Sequence, residues 1–261
     1  QSPEKIISQI ETLVADGVQE IVLTGIHTGG YGYDFDKYKF ADLLNDIKDI
    51  NGLMRVRISS IEISQLDEEV IGILRNNNVF AKHLHIPIQS ASDQILMKMK
   101  RKYTVQEFKN KISEIRKELG DIAITTDIIV GYPEETEEIF EETLNNLKDI
   151  NFSDMHVFPY SKRDGTPAAK VVDQVEEDVK KKRVKTLVNL SEEQKLLYEK
   201  KFIDRNEQIV IERLNSNGYY EGYSSNYIKL LLKSDENILN KTLNIKIKSV
   251  ATEENICEKI S

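Results

Sequence analysis

The sequence is 261 residues long, 39% hydrophobic and 31% charged, which supports a packed globular protein and excludes a disordered chain. That length holds one α/β domain plus a small module, or one large barrel. A single cysteine, Cys257, excludes a disulfide framework and a cluster ligated by this chain's cysteines alone, so a reducing cytoplasm is the expected compartment. No run of about eighteen apolar residues occurs, so no membrane partner is expected. The net charge of −8, from 36 basic and 44 acidic side chains, argues mildly against a nucleic-acid partner. A local stripe can still bind phosphate, and Lys180, Lys181, Lys182, Arg183 and Lys185 form one; read blandly, they are a solvated helix face.

The first element reads as a helix. Ser2 stands at its N-cap, Pro3 in its first turn, a stripe of Ile6, Ile7, Ile10, Leu13 and Val14 follows, and Gly17 stops it. Because the chain opens on Gln1 without a signal peptide, a start upstream is expected. A β-rich run, Glu20 to Gly25, ends in a glycine-rich loop. The unit then recurs. Helix Phe40 to Ile50 leads to strand Arg55 to Ser60, and helix Glu68 to Asn76 to strand His83 to Ile88. Helix Thr104 to Leu119, opened by the Thr104–Glu107 capping box and closed at Gly120, leads to strand Ala123 to Gly131. Helix Glu137 to Ile150 leads to strand Asp154 to Tyr160. Helices alternating with short strands predict right-handed crossovers and a parallel sheet, with the strand before the first helix missing. Residues Gln174 to Phe202 read as a long helix or helix pair, and the chain turns β-rich from Glu207. Alternation, tyrosines and turns near Asn217–Gly218 and Asp235–Asn237 predict a small antiparallel barrel. The boundary falls near Asp204, giving domains 1–204 and 205–261.

In parallel α/β folds, ligands bind where strands end. The first such loop, Thr24 to Gly32, holds four glycines in nine residues, and His27. His83 and His85 point to one face of their strand, but nothing nearby is spaced to complete a metal shell, so no metal site is expected. Gln89, Ser90 and Ser92 are compact hydrogen-bonding groups at a strand end, suited to a ribose, to a carboxylate or to capping a helix. Asp127 is a carboxylate in an apolar strand, costly without a partner. Tyr160, Ser161, Lys162 and Arg163 cluster after the last parallel strand. An aldolase-like lyase would need a strand-end lysine, for which Lys82 and Lys162 are the weak candidates. A non-catalytic RNA-binding module is the other rival.

In this order, "LTGIHTGGYG", "LHIPIQSASDQILMKMKRKYT", "TTDIIVGYPEETEE" and "VFPYSKRDGTPAA" resemble the successive signatures of the radical-SAM methylthiotransferases. The C-terminal β module is similar to that family's TRAM domain. The loop with His27 resembles the branch acting on N6-threonylcarbamoyladenosine beside the tRNA anticodon; the isopentenyladenosine branch is the alternative. Two positions depart from the pattern. Ala91 and Glu134 stand where glycine is usual, and Glu134 is tolerable only if its backbone does not need positive φ.

The resemblance implies a partial, open TIM-like barrel of parallel βα units followed by a TRAM-like barrel. It implies S-adenosylmethionine and two 4Fe-4S clusters in the full-length enzyme, with tRNA as partner and methylthiolation at C2 of the adenine as reaction. The cluster cysteines would precede Gln1, so this chain reads as a truncated piece, inactive and without bound cofactor. By position, Thr24, Gly29 and Gly30 would meet the cofactor, with Gln89, Ser90 and Ser92 at its ribose or carboxylate and Arg101 at the carboxylate. Asp127, Ile129, Val130 and Gly131 would line its adenine side, with Tyr160 on the following loop. Lys181, Arg183, Tyr223 and Tyr227 are the candidate RNA contacts.

Overall fold

The computed structural model describes residues 1–252 and 254–260. The chain folds as two compact units: Gln1–His85, Arg116–Ala123 and Leu196–Ser261 form one, and Ile86–Ile115 with Ile124–Lys195 form the other.

In the first unit, α1 (Pro3–Ala15), α2 (Phe40–Lys48) and α3 (Glu68–Asn76) alternate with β1 (Glu20–Leu23), β2 (Arg55–Ile58) and β3 (His83–His85). Gly17, at φ +89°, ends α1 as its sequence position required. Strands β1 and β2 are parallel, with Glu20 beside Arg55 and Leu23 beside Ile58. Parallel bridges from Val56 to Phe80 and from Ser60 to His85 add the third strand's segment. The other edge of β1 carries no strand among the described residues, and Val22 there is exposed.

The same unit contains the C-terminal module, β6 (Asn206–Leu214), β7 (Tyr220–Ser224), β8 (Lys229–Leu232), β9 (Thr242–Ser249) and β10 (Ile256–Lys259), closed in the order β10-β8-β7-β6-β9. The sequence predicted an antiparallel barrel. The pair β8–β10 is parallel instead, because an odd ring of strands cannot alternate direction all the way round. Ile209, Ile211, Leu230, Ile245 and Ile247 are fully buried inside it. Gly222 lets β7 lie against β6, since a Cβ there would stand 2.4 Å from the Val210 carbonyl oxygen.

Every residue of β2 is buried, as expected of a parallel strand covered on both faces, yet two of the four are arginines. Arg55 and Arg57 share a face, and Glu20 meets both, at 3.0 Å and 2.7 Å. Their remaining N–H groups donate to the Gln208, Tyr223, Ser224 and Ser225 carbonyl oxygens of the barrel. Burial pulls the Arg55 pKa below its ordinary value, and Glu20 opposes that shift.

The second unit contains α4 (Asp93–Lys98), most of α5 (Val105–Leu119), β4 (Ala123–Val130) beyond its first residue, α6 (Glu137–Ile150), β5 (Asp154–Pro159) and most of α7 (Glu177–Lys200). Helix α4 escaped the sequence reading. It is too short to show periodicity, and no glycine marks its end. The Thr104–Glu107 capping box forms as expected, and the charged region after Pro167 holds one long helix. Strands β4 and β5 pair in parallel from Thr125–Asp154 to Val130–Pro159, and residues 86–89 run along the other edge of β4.

Replacing Glu20 leaves two buried guanidiniums without a carboxylate. Glu20→Gln is expected to destabilise the chain by roughly 3–5 kcal/mol, against under about 0.5 kcal/mol for the exposed Glu11→Gln. Urea denaturation of both variants checks this; equal small losses would show that the carbonyl oxygens alone carry the arginines.

Candidate cofactor and substrate cleft

The strand ends of the second unit open into a cleft of about 710 Å³. Gln89, Asp127, Ile129 and Tyr160 form its strand-end wall, Lys98 to Arg101 come from the end of α4 and its turn, and Arg163 and Thr166 to Ala168 from the segment after β5. Gln89 takes a left-handed backbone, φ +66°. That turn lets its N–H donate to the Asp127 carbonyl while its own carbonyl accepts from the Ile129 N–H. The segment thus gives β4 a partner up to its end.

Asp127 has the partner that its apolar strand demanded. His156 stands opposite it in the β4–β5 register, with Nδ1 3.2 Å from the carboxylate. The sequence reading missed His156, although equal register on two neighbouring strands was the available signal. The Tyr160 hydroxyl is buried and has no hydrogen-bond partner among the described residues. Such an orphan costs about 1–3 kcal/mol unless a ligand accepts from it.

The other expected residues divide. Arg101 and Ile129 line the cleft. Ser90 and Ser92 do not: both are fully buried, and the Ser92 hydroxyl donates to Glu142 while its N–H donates to Ser90 Oγ. They hold the loop into α4, so their compact hydroxyls serve packing. Val130 and Gly131 are buried beneath the strand end. Thr24, Gly29 and Gly30 belong to the first unit, where Thr28–Gly30 is a single tight turn. A Cβ on Gly29 would strike Gln65, and one on Gly30 the His27 ring; Gln65 Nε2 lies 3.0 Å from His27 Nε2.

The description "Radical SAM superfamily" matches residues 1–147, more than half of the chain, a range that includes Gln89, Asp127 and Ile129 of the cleft and ends before β5. The chain belongs to the radical SAM superfamily. It is similar to the threonylcarbamoyladenosine tRNA methylthiotransferase MtaB of Bacillus subtilis, 45% identical over 252 residues that cover 95% of this chain and 56% of that protein. It is also similar to a tRNA-2-methylthio-N(6)-dimethylallyladenosine synthase of Desulfitobacterium hafniense, 38% identical over 81% of this chain and 48% of that one. The chain thus spans about half the length of the curated relatives it matches. Among solved structures, coproporphyrinogen III oxidase (HemN) of Escherichia coli, a radical SAM enzyme, aligns at a TM-score of 0.55 with 15% identity over 74% of this chain and 46% of that one. At that identity the likeness is one of fold.

In this radical SAM chain the basic stripe of α7 divides: Lys181, Lys182 and Lys185 are exposed, as a solvated face requires, and the other two are not. Lys181 is exposed beside Asp178, whereas Lys180 and Arg183 are buried. This corrects the expected placement of Arg183 among RNA contacts. Its guanidinium donates to the Glu135 carboxylate at 2.8 Å, to the Glu135 carbonyl and to Glu137. Burial pushes the Glu135 pKa up, while the Gly131 N–H at 2.6 Å and Arg183 pull it back. Gly131, at φ +71°, has Lys180 packed where a Cβ would go. Of the two tyrosines, Tyr223 is half-buried, and Tyr227, 47% exposed, stacks on Tyr223 and His83 with the Arg57 guanidinium 4.7 Å from its ring centroid.

Glu134 does sit at positive φ, +66°, the condition under which its departure from glycine matters. Its carboxylate pairs with Lys98 at 2.7 Å. Glu134→Gly is expected to be more stable than Glu134→Ala by about 1 kcal/mol, since both lose the pair and only alanine keeps the strain. Thermal melts decide it, and an alanine variant at least as stable would place no strain there.

Arg183→Met is expected to cost roughly 3–5 kcal/mol by stranding Glu135, and adding Glu135→Leu to recover a large part of that loss. Denaturation of the single and double variants measures the coupling. Strictly additive losses would mean that the pair does not act as one unit.

Proposed function

We propose that this chain is part of a tRNA methylthiotransferase that uses S-adenosylmethionine to modify N6-threonylcarbamoyladenosine in tRNA, in the cytoplasm. The observation that carries the reading is 45% identity over 95% of the chain to a threonylcarbamoyladenosine methylthiotransferase, against 38% over 81% for a dimethylallyladenosine enzyme. No helix among the described residues is long and apolar enough to cross a membrane.

The cleft fits the adenosine end of S-adenosylmethionine. Its orphaned Tyr160 hydroxyl asks for an acceptor, Ile129 gives apolar surface, and Gln89 and Asp127 give polar groups beside it. Arg101 would take the methionine carboxylate. When bound at an iron–sulfur cluster, this cofactor supplies radical chemistry for removing hydrogen from the adenine C2. The cluster itself does not fit these 261 residues. A 4Fe-4S cluster takes three or four thiolates, and the one cysteine, Cys257, is buried in the barrel with its thiol pushed up to about 12 by burial. For RNA, exposed Lys181 and Tyr227 and the half-buried Tyr223 are the proposed contacts.

Deleting the gene that encodes this chain is expected to abolish 2-methylthio-N6-threonylcarbamoyladenosine in bulk tRNA and leave the unmethylthiolated nucleoside in its place. Mass spectrometry of digested tRNA reads both. Loss of the 2-methylthio dimethylallyl nucleoside instead would assign the chain to the alternative branch.

A further inference from the structure

The whole chain carries −8, yet the side chains around the cleft include four cations, Lys98, Lys100, Arg101 and Arg163, and one carboxylate, Asp127. Lys98 is engaged by Glu134. Lys100 and Arg163 are exposed at the rim, and neither side chain has an ion-pair partner among the described residues.

Lys100 is also in the wrong backbone for a lysine. Helix α4 ends in a Schellman turn: the Arg101 N–H donates to the Leu96 carbonyl, and the Lys100 N–H to the Met97 carbonyl. In that turn Lys100 is the C′ residue, at φ +58°, where glycine is the common choice and asparagine the next. A long side chain at such a position is strained. Here it sits on the cleft wall, unpaired, in a group of cations. Backbone strain alone would have favoured glycine or asparagine at this position.

The two related activities differ in one chemical group. A threonylcarbamoyl substituent is threonine joined through its amine, so its carboxylate stays free, whereas a dimethylallyl substituent is an uncharged hydrocarbon. We propose that Lys100, together with Arg163, binds the substituent's carboxylate and so makes the cleft selective for an acid-bearing adenosine. The assignment rests on the reading of the substrate given above. Two further anions could be drawn to the same cations, the cofactor's own carboxylate and RNA phosphate, and the test separates them.

The test titrates the 261-residue chain with three anticodon stem-loop RNAs of identical sequence, read by fluorescence anisotropy. Their one modified adenosine carries threonylcarbamoyl, its methyl ester, or dimethylallyl. All three carry the same phosphates, so the acid–ester difference reports the carboxylate alone. The acid is expected to bind roughly tenfold more tightly than the ester, the worth of one charge-assisted hydrogen bond. Lys100→Asn and Arg163→Met should each reduce that preference severalfold, and Lys100→Asn should at the same time raise Tm by relieving the strained turn. Gain of stability with loss of acid preference separates a recognition role from a folding defect. Repeating the titration with saturating S-adenosylmethionine completes the test: acid preference should survive, and its disappearance would assign the cations to the cofactor. Equal binding of acid and ester, or a preference unchanged in both variants, overturns the proposal while leaving the tRNA assignment of the deletion experiment intact. If deletion instead removes the dimethylallyl product, both fall together.

Discussion

Two guanidinium groups lie inside a parallel strand, and the first unit is arranged around satisfying them. Arg55 and Arg57 occupy one face of β2, where an all-apolar strand would serve the core as well. One carboxylate, Glu20 on the adjacent strand, neutralises part of their charge, and four carbonyl oxygens from the C-terminal barrel take remaining N–H groups. A charge taken out of water is tolerated only when its hydrogen bonds are met in full. The position of β6 and β7 against β2 is therefore specified more sharply than apolar contact would specify it. Tyr227 over Arg57, stacked on His83, extends the same contact. From sequence, alternation and tyrosines predict the barrel itself, and Tyr227 packs over Arg57 of β2 while staying 47% exposed.

The second unit uses the opposite device, backbone held out of its ordinary conformations. Gln89, Lys100, Gly131 and Glu134 all have positive φ close to the ends of β4 and α4. Of these, Gln89 and Lys100 line the cleft beside the strand residues Asp127 and Ile129, so its wall joins turns to strand ends. These turns are fixed from behind. The Gly131 N–H is tied to Glu135, which Arg183 of α7 holds in turn, and Ser92 is tied to Glu142 of α6. Ser92, a candidate ligand contact by its place after a strand, and Arg183, a candidate RNA contact from the basic stripe, are instead supports of the loops behind the cleft.

The sequence carried the regular structure plainly because that structure is written in local signals. Gly17 and Gly120 at helix ends, the Thr104–Glu107 box and the apolar runs of β1 and β4 each follow from chemistry within a few residues. What remained hidden depends on partners far along the chain. Nothing near Arg55 announces that Gln208 and Tyr223 will accept from it, and nothing near Arg183 points back to Glu135. Helix α4 was hidden for a local reason, because Lys100 holds the place of the glycine that would have marked its end. Asp127 was legible as a carboxylate needing a partner, while His156 could be found only once the β4–β5 register was known.

An acidic protein that recognises an anion must solve the problem over short distances. At physiological ionic strength the Debye length is about 8 Å, so the acidic surface beyond the cleft is largely screened from a ligand within it. Net charge then says little about what the cleft attracts, and Lys100 and Arg163, exposed at its rim, say more. Asp127 is itself engaged by His156. A cation on a rigid turn also loses less freedom on binding than one on a mobile loop, which offsets part of the entropy of fixing a lysine side chain. The strained backbone at Lys100 is thus consistent with a charge fixed in place before its ligand arrives. On this argument the strain is the cost of direction, and a relaxed turn carrying the same lysine elsewhere on the rim would bind the same anion more weakly.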